Sequence, residues 1–268
     1  MPRRDMLAAG TLSGVRTFPR STMDIRGCTA FVTGAAGGMG REWVRELRAR
    51  GAAKVYAADL AVPAGLPDGP GASLVPLALD ITDPVAVERA ARMATDVTLL
   101  INNAGVNLRS PFIAAPSLDA ARREMEVNYF GTLAMCRAFA PVLAASAGAS
   151  AIVNVLSILG KVTLPNLGTY CATKAALLRL CEGVRAELAP QGTAVLAVLP
   201  WAVDTPMSGP FPGVKTAPSA VAAGSLDALE AGREDVVFHE FSEEIERRLR
   251  EDPKALEHEL AGTFRRAP

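Results

Sequence analysis

The strongest constraint on the fold is an alternation. Short β-rich runs recur at CTAFVTG (28–34), KVYAADL (54–60), SLVPLALD (73–80), VTLLINNAG (97–105), SAIVNVLS (150–157), TAVLAVLP (193–200) and DVVFHEF (235–241). Several are almost continuously apolar, the pattern of parallel strands buried on both faces. Amphipathic stretches lie between them. In MGREWVRELRARG (39–51), Trp43, Val44 and Leu47 form an apolar stripe and Gly51 sits at the C-cap. DPVAVERAARMA (83–94) opens on Asp83 as N-cap, with Pro84 in the first helical position. The alternation predicts an α/β fold: a doubly wound, seven-stranded, mostly parallel sheet with helices on both faces, forming one domain over residues 23–268.

Composition narrows the function classes. Lys plus Arg equals Asp plus Glu at 28 each, so no global electrostatic attraction points to nucleic acid or to an anionic membrane as partner. Every apolar run is interrupted by Arg, Asp, Gly or Pro before it reaches a membrane span. Cys28, Cys136, Cys171 and Cys181 have no C-x-x-C spacing and read as reduced core thiols of a cytoplasmic protein. The two histidines, His239 and His258, come late in the chain and complete neither a zinc cluster nor a serine-hydrolase triad, so no metal is expected. Residues 1–22 carry four arginines and one acid without an apolar signal core, and are read as a disordered extension; a transit peptide is the alternative.

Two motifs carry chemistry. The first strand runs into TGAAGGMG (33–40) and then a helix. Gly34, Gly38 and Gly40 allow positive φ and close backbone approach, and the helix N-terminus offers unpaired N–H groups to a pyrophosphate. A plain tight turn is the bland alternative. Further along, Tyr170 and Lys174 stand four apart in GTYCATKAALLRL (168–180), one helical turn from each other on one face. An ammonium beside a phenol favours the phenolate and lowers a pKa that starts near ~10. Two amphipathic side chains at a groove edge would give the same spacing. Asp59 ends the second strand, where a carboxylate can accept hydrogen bonds from adenosine ribose hydroxyls and repel a 2′-phosphate. A residue that merely begins the next loop would also fit there. The Pro/Gly-rich segment at 206–218 follows the sixth strand, beyond whose carboxyl end ligands sit in this architecture, and marks a substrate lid.

TGAAGGMG, NNAG at 102–105 and Y-x-x-x-K at 170–174, in this order over about residues 24–241, resemble the short-chain dehydrogenase/reductase family, and imply a Rossmann-type fold. Ser157 stands thirteen residues before Tyr170, and Asn128 lies in EVNYFG, as in that family. The resemblance implies a catalytic set of Asn128, Ser157, Tyr170 and Lys174. In that set Tyr170 is the general acid/base, and Lys174, together with the positive nicotinamide of the oxidised cofactor, lowers its pKa and also binds the nicotinamide ribose. Ser157 orients the substrate oxygen, and Asn128 holds a water that links Lys174 to solvent. It also implies cofactor contacts at Gly34, Gly38, Met39 and Gly40, at Asp59 and Leu60, and at Asp80 and Ile81. Asn103, Ala104 and Gly105 continue the set, which Tyr170, Lys174, Pro200, Val203 and Thr205 complete. Trp201 departs from the family pattern, which has glycine at that place; this leaves the local backbone path open and adds an aromatic wall near the pocket.

The expected activity is interconversion of a secondary alcohol and a ketone with NAD(H) preferred over NADP(H), since Gly37 and Leu60 occupy places where NADP-using relatives carry Arg or Lys. Arg41, just past the glycines, is the one cation that could swing towards a 2′-phosphate. An inactive dinucleotide sensor, or an epimerase or dehydratase of the same fold, are the alternatives. Trp201, Met207, Phe211 and Pro212 suggest a largely apolar small-molecule substrate within a loop region of about 201–220, followed by a helical tail over about 242–268. Apolar residues on more than one side of 118–146 and 168–189 (Ala134, Cys136, Ala138, Phe139; Leu177, Leu178, Leu180) suggest, with the resemblance, a homodimer or homotetramer.

Overall fold

The computed structural model describes residues 22–66 and 71–264. The extension expected over residues 1–22 lies almost wholly outside the described residues. Seven strands form one sheet: β1 (Thr29–Thr33), β2 (Lys54–Asp59), β3 (Ser73–Ala78), β4 (Leu99–Asn102), β5 (Ser150–Val155), β6 (Thr193–Pro200) and β7 (Asp235–Phe238), in the order β3-β2-β1-β4-β5-β6-β7. All six pairings are parallel, where the sequence predicted a mostly parallel sheet. Most strands stop short of the apolar runs that announced them. Their last residues turn out of the sheet into the loops that build the site. Pro76, which lacks an N–H, is tolerated because β3 is an edge strand.

The helices divide between the two faces. Residues of α2 (Pro84–Met93), α4 (Thr132–Ala144) and α5 (Gly168–Leu188) share a core with Phe31 and Ile152, whereas α1 (Gly38–Ala49) and α6 (Pro218–Glu230) pack over Ala30, Val32 and Val153. Successive residues of β1 thus enter opposite cores, which explains why its sequence is apolar throughout. Trp43, Val44 and Leu47 of α1 are fully buried, and each such side chain contributes about 1.5–3 kcal/mol. Asp83 caps α2 by accepting from the Val85 and Ala86 N–H groups at 2.9 and 3.1 Å.

Three features aim this frame at a site. The strand order reverses between β1 and β4, which opens a crevice beyond their carboxyl ends. The long helix over 119–144 begins as α3 (Asp119–Met125), and a π turn over Glu126–Gly131 separates it from α4. Single π turns of this kind recur at functional sites. Finally, α7 (Glu240–Glu251) and α8 (Pro253–Ala261) fold back over one end of the crevice, where Ile245, Leu256 and Leu260 pack with Ile158. No helix among the described residues is long and apolar enough to cross a membrane, and all four cysteines are free and buried.

Candidate active site

The turn after β1 is shaped by contact. Gly34 has φ +66°, and a Cβ there would lie 2.9 Å from the Ala104 Cα. A Cβ on Gly40 would come within 2.0 Å of the Gly34 carbonyl oxygen, so no side chain fits. Thr33 and Asn103 stitch this turn to the segment after β4. Thr33 Oγ1 accepts from the Asn103 and Ala104 N–H groups at 3.0 and 3.1 Å, and Asn103 Nδ2 donates to the Thr33 and Gly34 carbonyls. Asn103 is therefore a strut, and its buried Oδ1 has no protein partner. Thr33 carries half of this strapping and was not singled out in the sequence; its only signal is its place beside the glycines.

Asp59 is held from two sides: Oδ2 accepts from the Ala36 N–H at 2.9 Å and Oδ1 from the Leu60 N–H at 2.8 Å. Arg41 is also engaged, its guanidinium donating to the carbonyls of Ala36, Ala64 and Gly65. Asp80 Oδ1 accepts from both the N–H and the hydroxyl of Thr82, and these bonds hold its carboxyl below the usual carboxylate range.

At the other end of the crevice β5 delivers Ser157, whose Oγ accepts from the Leu159 N–H at 3.1 Å and donates to the Pro200 carbonyl at 3.4 Å. The first turns of α5 deliver Tyr170 and Lys174, both buried. Lys174 Nζ donates to the Val155 carbonyl at 2.9 Å and lies 5.5 Å from the centre of the Tyr170 ring. The protein's own groups around Tyr170 act mostly in the upward direction. Burial pushes the phenol up, Cys171 adds to the rise, and the Ser157 hydroxyl opposes it. Burial also pulls Lys174 down to about 8, so near neutral pH the ammonium has less charge to lend than a solvated lysine. Cys171 itself is raised to about 11, chiefly by burial, which makes it packing rather than a thiolate.

Asn128, in the π turn, does not line the cavity. Its Oδ1 accepts from the Val106 N–H at 2.8 Å, while Nδ2 donates to the Val106 carbonyl and to Thr173 Oγ1. Both amide hydrogens are thus committed to tying α5 to the segment after β4. The side-chain donors are not left for the water expected there.

Every other predicted residue lines one cavity of about 1,460 Å³, including Met39, Leu60, Ile81, Gly105, Pro200, Val203 and Thr205. That exceeds the ~300–1,000 Å³ of a usual small-ligand pocket. A dinucleotide fits the residues present: Gly34, Gly37, Gly38 and Gly40 line the cavity without side chains to obstruct it, and the N-terminus of α1, which no side chain caps, opens onto it. The Trp201 N–H reaches the Phe238 carbonyl at 3.4 Å, and Val203 bridges Thr216. Its ring meets Phe211 edge-on at 5.5 Å and Phe241 at 4.3 Å. Arg109, with φ +55°, donates to the Met207 carbonyl across the mouth. Leu260 and Thr263 complete the wall from the C-terminal end. Sequence reasoning named none of Phe241, Leu260 and Arg109 for the site, since only tertiary packing brings them there.

Comparison with known proteins agrees with this architecture. A family model described as short chain dehydrogenase matches residues 28–212. Sorbitol dehydrogenase of Cereibacter sphaeroides is 32% identical over 194 residues, 68% of this chain and 73% of that protein. Human L-xylulose reductase is 36% identical over 187 residues, 68% of this chain and 75% of its own length. A crystal structure of a short chain dehydrogenase from Burkholderia cenocepacia in complex with NADP is 48% identical, covers 89% of this chain and 99% of that one, and superposes with a TM-score of 0.83. An enzyme of the same fold from Burkholderia phymatum in complex with NAD, 23% identical, covers 87% and 96% of the two chains with a TM-score of 0.75. With the fold, the glycine turn and the Ser157, Tyr170 and Lys174 cluster in one cavity, the chain belongs to the short-chain dehydrogenase/reductase family of oxidoreductases.

Proposed function

We propose that the protein interconverts a secondary alcohol and a ketone with a nicotinamide dinucleotide, using Tyr170 as general acid/base. The observation that carries this reading is the convergence of Ser157, Tyr170 and Lys174 on the cavity that also contains the glycine turn. The residues at 34–40 and 103–105 would hold the pyrophosphate and adenosine side, and Lys174, Val203 and Thr205 the nicotinamide side. When bound, the nicotinamide supplies hydride transfer. This chain's part is the proton. In the oxidation direction Tyr170 takes the hydroxyl proton, and in the reduction direction it returns it to the carbonyl oxygen. The Ser157 hydroxyl donates only a long bond to Pro200, so it can turn to the substrate oxygen and stabilise developing charge.

NAD(H) is the cofactor this reading favours. The Asp59 carboxylate sits at the cavity rim, where each oxygen keeps a lone pair for a ribose hydroxyl and would repel a 2′-phosphate. Arg41, just past the glycine turn, is committed to three carbonyls. Against this stands the Burkholderia cenocepacia relative, solved with NADP. The substrate is read as small and largely apolar, from the ring cluster of Trp201, Phe211 and Phe241 and from Leu260.

A homodimer or homotetramer in the cytoplasm is also proposed. Much of the apolar excess that suggested assembly, including Cys136, Phe139, Leu177, Leu178 and Leu180, is absorbed inside the chain. Phe130 remains half-exposed, beside the partly buried Leu133, Ala134 and Ala138. Light scattering at micromolar concentration should give at least twice the chain mass; a monomer mass sinks this part. The activity is tested by screening ketones and secondary alcohols against NADH, NADPH and their oxidised forms by nicotinamide absorbance. No turnover of any carbonyl or alcohol with either cofactor would overturn the reading.

A further inference from the structure

Glu124 and Lys174 are the only charged side chains buried among the described residues. Lys174 belongs to the proposed catalytic set, whereas Glu124 has no role in it. Glu124 is fully buried on α3, where its Oε1 accepts from the Leu108 N–H at 2.6 Å and its Oε2 has no protein partner. Burying a carboxylate with so few partners is costly, and a well-packed apolar side chain would usually be neutral or better at such a place. Stability alone does not explain its presence.

Its position does. Glu124 and Asn128 are four residues apart on one continuous helix, so their side chains share a face. Both hold the same segment: Asn128 takes both backbone groups of Val106, and Glu124 takes the N–H of Leu108. The far end of this segment is fixed to α5, where the Ser110 carbonyl accepts from the N–H and the hydroxyl of Thr169, next to Tyr170. Asn107 and Arg109, between these anchors, line the cavity.

Resting on the alcohol–ketone reading above, we propose that Glu124 is a positioning residue: with Asn128 it clamps residues 106–109 as the wall of the substrate cavity.

The test uses the full chain with saturating cofactor and the best alcohol from the screen. In Glu124→Gln an acceptor for the Leu108 N–H survives, so KM should stay near the parent value. Glu124→Asp shortens the reach, so KM should rise several-fold while kcat falls less. A purely structural residue would change stability and leave KM in place. An Asp variant with parental KM overturns the proposal, as does a Gln variant whose KM rises as far as that of Asp. Should either variant fail to fold, hydrogen exchange of the parent decides: the Leu108 amide should be protected like that of Val106, and exchange at the rate of an open loop overturns the clamp. Loss of the underlying reading is separately visible, because Tyr170→Phe would then retain turnover.

Discussion

The two ends of the cavity are built in different ways. At the cofactor end the constraints are mostly backbone to backbone, or side chain to backbone. The Gly40 carbon faces the Gly34 carbonyl, Thr33 and Asn103 join the β1 and β4 turns, and Asp59 holds the Ala36 N–H. At the substrate end the ties are made by side chains that reach across long stretches of sequence. Trp201 meets Phe241, Arg109 reaches Met207, and Lys161 pairs with Glu246. A crowded backbone turn tolerates almost no change, whereas a wall of side chains can be recut without moving the strands. The comparison teaches that cofactor chemistry is fixed by the frame and substrate choice by what is hung on it.

The sharpest way to separate the two ends is to remove the proposed proton donor between them. Tyr170→Phe keeps the ring and its packing, so turnover should fall about 10²–10⁴-fold or more while cofactor affinity, measured by fluorescence titration, stays near the parent value. Turnover within a few-fold of the parent would remove Tyr170 from the mechanism.

Gly40→Ala attacks the rigid end. The added carbon must displace a backbone oxygen that lies 2.0 Å away, so the turn has to open. Cofactor affinity should drop at least tenfold, with a lower melting temperature. Parental affinity would show that the turn is softer than the comparison holds.

Asp59→Ala with Leu60→Arg changes recognition without changing the frame. The ratio of kcat/KM for NAD(H) over NADP(H) should start near tenfold or more and swing towards NADP(H) in the double variant, each tenfold being about 1.4 kcal/mol. A parent that uses NADP(H) equally well or better would overturn the reading of Asp59 and align this chain with its Burkholderia cenocepacia relative.

The smallest effect is expected at the adaptable end. Trp201→Gly restores the family's usual residue and removes the ring that joins Phe211 to Phe241. Selectivity for a bulky apolar ketone over a small one should fall several-fold, with little change in cofactor affinity. An unchanged selectivity ratio would take Trp201 out of the substrate wall.

Much of this was legible in the sequence because its causes are local. A run buried on both faces must be apolar throughout, so the five inner strands announced themselves. A turn that brings backbone against backbone must be glycine, so TGAAGGMG marked the cofactor end, and the one-turn spacing of Tyr170 and Lys174 placed them on one helix face. The tertiary structure alone decided the rest. Whether Lys174 lowers Tyr170 depends on desolvation, which acts on both groups and is set by the surrounding packing. Whether Cys136 and Leu177 face a partner or the core depends on which sheet face their helices cover. Phe241, Leu260, Arg109 and Glu124 reach the site by folding across long stretches of chain, and no periodicity records such a meeting. Local backbone geometry leaves a signature in neighbouring residues, whereas burial and long-range contact arise only once the sheet, its helices and the returning C-terminal arm have packed together.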